Sequence, residues 1–99
     1  MIDSNQVLNY LSLNKERFKD KYHLTKIGIF GSIARNDQKD GSDIDLIIEF
    51  EDDTPDLFSI KQRLKNEIME EFNVHVDICR EKYIKPVFKT QIMSEVKYV

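Results

Sequence analysis

Two aspartates, Asp43 and Asp45, stand at i and i+2 directly after the turn-rich run 36–42, NDQKDGS. On a strand such residues share a face with their Cα atoms ~6.5–7 Å apart, so both carboxylates can converge on one hard cation. Mg²⁺ typically takes one or two protein carboxylates and completes its shell with water and phosphate oxygens. Ahead of this pair, Gly31-Ser32 closes a short apolar run and opens onto what reads as a helical turn, residues 32–35. That junction offers free backbone N–H groups and a hydroxyl to an anion, and Gly31 has no side chain to keep a phosphate away. Each half alone is weak. Together they describe a site for a nucleoside triphosphate and its cation. Asp77 adds a third carboxylate on a later apolar run, and it joins the cluster if the two runs are neighbouring strands.

The elements that must hold these residues follow from periodicity. Residues 43–50 alternate, with Asp43, Asp45, Ile47 and Glu49 on one face and Ile44, Leu46, Ile48 and Phe50 on the other. Residues 26–31, KIGIFG, are too few for a helix and rich in Ile and Phe, which predicts a strand. Residues 74–79, VHVDIC, predict a third, with Val74, Val76 and Ile78 opposite His75, Asp77 and Cys79. Before them, Ser4 is expected to cap one helix carrying Val7, Leu8, Leu11, Phe18 and Tyr22 on a single stripe. Thr54-Pro55-Asp56 signals a second helix start, followed by Leu57, Ile60, Leu64, Ile68 and Phe72, with Asn73 as its stop. A last helix is expected near Pro86, carrying Val87, Phe88, Ile92 and Val96. The expected order is α-β-(α)-β-α-β-α, with helices over one face of the sheet and carboxylates on the other.

Bulk composition narrows the function classes. The chain has 99 residues, 40% of them hydrophobic and 33% charged, which suits one soluble domain over residues 1–99. Its net charge of −3 comes from interleaved signs, so direct nucleic-acid binding is not expected. Acidic clusters at 49–53 and at Glu70-Glu71 read as solvated surface. No apolar run suits a membrane span, and the start of the chain does not resemble a secretory leader. The single cysteine, Cys79, forms no intramolecular disulfide and fits a reducing compartment. A cytoplasmic location without membrane contact is therefore expected. Cys79 reads as a small core hydrophobe, His23 as a helix-end residue, and His75 as a partly buried strand histidine.

The segment Gly31-Ser32-Ile33-Ala34-Arg35-Asn36-Asp37, followed by Ser42-Asp43-Ile44-Asp45-Leu46, resembles the signature of the minimal nucleotidyltransferases, relatives of the polymerase-β-like superfamily. The resemblance implies an α+β fold: a small mixed β-sheet with helices packed on one face, forming a nucleotidyltransferase core. It implies Asp43, Asp45 and Asp77 as catalytic residues and Mg²⁺ ligands, and Gly31, Ser32 and Arg35 as nucleotide-binding residues. It further implies transfer of AMP from ATP to a hydroxyl, a tyrosine, of a partner HEPN-domain toxin, for which such chains serve as antitoxin. A chain this short leaves no residues for an acceptor pocket, so the acceptor is expected from a partner. The alternatives are a catalytically silent antitoxin that acts by binding, and a small-molecule nucleotidyltransferase subunit. One position departs from the family pattern, Asn36 where Gly is usual. Asn tolerates the left-handed backbone region, so the loop is expected to keep its shape.

Overall fold

A computed structural model describes residues 2–99. The chain opens with α1 (Ser4–Leu13) and α2 (Lys15–Tyr22), then runs through β1 (Leu24–Phe30), the short α3 (Gly31–Ala34) and β2 (Ile44–Phe50). It continues through α4 (Leu57–Phe72), β3 (Val76–Arg80), a single 3₁₀ turn (Glu81–Tyr83), α5 (Pro86–Glu95) and β4 (Lys97–Tyr98). The strands form one mixed sheet in the order β3-β2-β1-β4. β1 pairs antiparallel with β2 and β4, while β2 pairs parallel with β3. That parallel pair is what the crossover through α4 makes possible, because parallel neighbours cannot be joined by a tight turn.

One face of the sheet is apolar for the alternation reason given above. Ile44, Leu46, Ile48 and Phe50 of β2 are buried with Ile27 and Ile29 of β1 and Val76 and Ile78 of β3. They pack on Val7, Leu11, Phe18 and Tyr22 from the first two helices and on Ile60, Leu64 and Ile68 of α4. A register shift between Leu24 and Lys26 brings Leu24 into the same core despite its odd spacing from Ile27. No helix among the described residues is long and apolar enough to cross a membrane.

Several local expectations need correcting. The single first helix is two, broken at Asn14, whose side-chain amide donates to the Tyr10 carbonyl at 2.9 Å. Asparagine competes with the backbone for hydrogen bonds, and the core stripe runs on across the break from Leu11 to Phe18. The cap of α1 is Asp3, not Ser4: Asp3 Oδ1 accepts from the Gln6 N–H and Gln6 Oε1 accepts from the Asp3 N–H. Ser4 lies inside the helix and is buried. Thr54 does not cap α4 either; its hydroxyl donates to the Glu51 carbonyl, and the helix starts after Asp56 in a left-handed conformation. Asn73 does end α4, as expected, and it does so in a left-handed conformation. α5 stops at Glu95, so Val96 lies at its cap, and Val87 and Phe88 on its first turn are exposed. β4 is an unexpected element. It pairs with β1 at Gly28 and Ile29, and a Cβ at Gly28 would meet the Lys97 carbonyl oxygen at 2.6 Å.

Candidate active site

The sheet register assembles the carboxylates. On central strand β2, Asp45 is paired laterally with Phe30 of β1 on one side and with Asp77 of β3 on the other. Asp43 precedes β2, and the Ile44 N–H donates to the His75 carbonyl at 3.0 Å, which fixes the start of β3 beside the start of β2. Asp43, Asp45, His75 and Asp77 therefore gather at one end of the sheet, where β1 turns into α3.

Gly31 completes this corner. Its φ is +79°, and a Cβ there would stand 2.2 Å from Asp45 Oδ2. The missing side chain thus makes room for the aspartate, in addition to leaving a phosphate free to approach. Asn36 also has a positive φ, 58°, so the residue that replaces the usual glycine holds the left-handed loop as expected. Its Oδ1 accepts from the Ser4 N–H at 3.4 Å, reaching back to the start of α1.

The charges here are out of balance. Burial, then the like charges of Asp77 and Asp43, push the Asp45 carboxyl up to about 6, with Glu95 adding and Arg35 opposing. A half-buried carboxylate beside two others is costly unless a cation offsets them. This is a donor set that fits a divalent metal: hard oxygen ligands, converging, short of positive charge. Arg35 does not supply that charge outright, because its guanidinium is shared between Asp37 at 3.0 Å and Glu95 at 2.6 Å. It ties α3 to α5 at the border of the site. Ser32 is half-buried at the first turn of α3, and its carbonyl accepts from the Asp37 N–H.

Glu49 shares the face of Asp45 but belongs to a different cluster. Burial raises its carboxyl, yet bonds from the Lys82 N–H and the Arg80 guanidinium outweigh this and hold it below the usual range. It anchors the turn after β3. Cys79 is half-buried rather than in the core, beside Ile47. His75 is the residue that sequence reasoning undervalued. Its side chain is half-exposed, and Nδ1 lies 3.4 Å from Asp43 Oδ2 and 3.7 Å from Asp77 Oδ1. The signal was present in the alternation that placed His75 and Asp77 on one face. What the sequence lacked was the neighbouring strand, which brings Asp43 alongside.

A fold of this kind, with a Gly-Ser turn facing an Asp-x-Asp strand, is that of a nucleotidyltransferase. The family model for the nucleotidyltransferase domain matches residues 11–99, and the chain belongs to that family. It is 35% identical over 95 residues to a candidate protein adenylyltransferase of Methanocaldococcus jannaschii, covering 95% of each chain. Among solved structures it superposes on a candidate minimal nucleotidyltransferase with a TM-score of 0.77 and 24% identity, covering 97% of this chain and 95% of that one. It also superposes on a toxin–antitoxin structure determined with AMP-PNP, with a TM-score of 0.67 and 20% identity, covering 98% of this chain and 72% of that one. The expected small mixed sheet with helices on one face is the fold observed.

Proposed function

We propose that residues 1–99 act as one Mg²⁺-dependent unit that moves AMP from ATP onto a tyrosine hydroxyl of a HEPN-domain toxin, and so serve as its antitoxin. The observation that carries this reading is the lateral pairing of Asp45 with Asp77, beside Asp43 and against the side-chain-free face of Gly31. The adenylyltransferase relative supports AMP as the group moved and a protein as the acceptor.

In the proposed reaction the acceptor oxygen attacks the α-phosphorus, the bond from that phosphorus to the β-phosphate bridging oxygen breaks, and pyrophosphate leaves. The Gly31-Ser32 turn and the Ser32 hydroxyl hold the terminal phosphates. Arg35 stands at the rim, bringing positive charge near Asp45 while braced by Asp37 and Glu95. Asp77, exposed at the sheet edge, orients the acceptor hydroxyl and takes its proton. Asp43, Asp45 and Asp77 would hold Mg²⁺, which supplies the positive charge that stabilises the developing negative charge on the phosphates. Three clustered carboxylates favour this reading over a silent antitoxin, since repulsion with no bound cation gives them no structural value.

The test uses ATP labelled at the α- or γ-phosphate, with the chain and its co-purified partner. Label from the α-position is expected on the partner and label from the γ-position is not. Transfer of the γ-label, or of neither, refutes the reading.

A further inference from the structure

We propose that Asp43, His75 and Asp77 form a cation seat that takes Zn²⁺-class ions in preference to Mg²⁺. One donor atom from each residue lies within 4.8 Å of the other two. His75 Nδ1 sits between the carboxylates, 3.4 Å from Asp43 Oδ2 and 3.7 Å from Asp77 Oδ1. Both separations exceed the ~2.7–3.2 Å of a good N–H···O bond, so a shared proton does not account for the arrangement. The shorter of them matches two ligands of one metal ion. Ligands 2.0–2.1 Å from a tetrahedral centre stand ~3.3–3.4 Å apart, and Zn²⁺ takes nitrogen and carboxylate oxygen at such bond lengths. The longer separation, to Asp77, and the spacing of the two carboxylates, within 4.8 Å, close by rotation of the half-exposed Asp43 and exposed Asp77 side chains.

The donor types set the preference. Imidazole suits Zn²⁺, Cu²⁺ and Ni²⁺, whereas Mg²⁺ favours oxygen ligands and gives up water reluctantly. Asp45 neighbours this trio without being one of its donors, its carboxylate lying against Gly31. The seat therefore overlaps the proposed nucleotide site at Asp43 and Asp77 without needing Asp45. A Zn²⁺ ion held by His75 would compete with the nucleotide-bound cation for those two carboxylates.

The experiment is a Zn²⁺ titration of the untagged, nucleotide-free chain, followed by long-range ¹H–¹⁵N correlation of its two histidine rings. The His75 signals are expected to shift to a single end point. Those of His23, which caps α2 near the far end of the sheet, should stay in place and serve as the internal reference. Mg²⁺ should leave both rings unchanged. By calorimetry, His75→Gln should weaken Zn²⁺ binding at least ~tenfold, as expected where even an outer-sphere partner is worth that much. Asp45→Asn should retain it. Unmoved His75 signals, or equal Zn²⁺ affinity in wild type and His75→Gln, would overturn the proposal. Neither result bears on AMP transfer, which is read separately with labelled ATP and Mg²⁺.

Discussion

A Cβ at Gly31 would clash with Asp45 Oδ2 and would sit on a left-handed backbone, so two penalties meet at one residue. Gly31→Ala is expected to cost ~1–2 kcal/mol for the backbone alone and to abolish transfer by displacing Asp45. Urea unfolding and the labelled-ATP assay read the two effects; a stable, active Gly31→Ala would show that Asp45 is free to stand elsewhere. Asn36 sets up a contrasting case. Asn36→Gly keeps the left-handed conformation and should leave stability within ~0.5 kcal/mol, whereas Asn36→Ala should lose ~1–2 kcal/mol. Equal melting temperatures for the two variants would remove the backbone argument. At this scale the sequence was informative, because Gly31, Asp43 and Asp45 are linked through adjacent local elements. The pairing of Asp45 with Asp77 was not readable, since register between distant strands depends on the whole sheet.

β2, which starts directly after Asp43, is the element on which the site depends, with core residues on one face and Asp45 on the other. Leu46 is fully buried, and Leu46→Ala should cost ~2–5 kcal/mol by removing core contacts and leaving a cavity. The urea midpoint checks this, and an unchanged midpoint would mean the strand faces the other way. β2 and α4 were legible because their apolar periods are long and regular. Short or interrupted elements were not. The break at Asn14 leaves the apolar stripe continuous, so periodicity passes over it. β4 is only Lys97–Tyr98, and its existence depends on a glycine on another strand. The cap at Asp3 was misplaced because several polar residues near a helix start can satisfy the same N–H groups, and the start at Asp56 because its left-handed backbone, without a side-chain cap, leaves no local sequence signal.

Across the whole molecule, α2 and α4 are tied together at the back of the core by one carboxylate. Glu67 accepts from Arg17, from the buried Tyr22 hydroxyl and from Lys21 at 3.3 Å. Burial raises its carboxyl, but these bonds outweigh burial and hold it down to about 2, against an ordinary value of 4.5. A carboxyl lowered on folding contributes stability that is complete above its unfolded pKa and disappears as pH falls through its folded one. The Glu67 contribution should therefore hold above pH 4.5 and fade towards pH 2. Glu67→Gln should lower the urea midpoint at neutral pH, with the gap from wild type narrowing over that window. A gap independent of pH would assign the loss to packing instead. The site lies at the end of the sheet where β1 turns into α3 and is assembled from two stretches of sequence, 31–45 and 75–77.

The most direct test of the central claim is the intact mass of the partner protein co-expressed with this chain. The account predicts a partner heavier by AMP on a tyrosine, and an unmodified partner when Asp43→Ala and Asp45→Ala are combined. An unmodified partner beside the wild-type chain, still inhibited beside the double variant, would contradict it and leave binding alone as the antitoxic act.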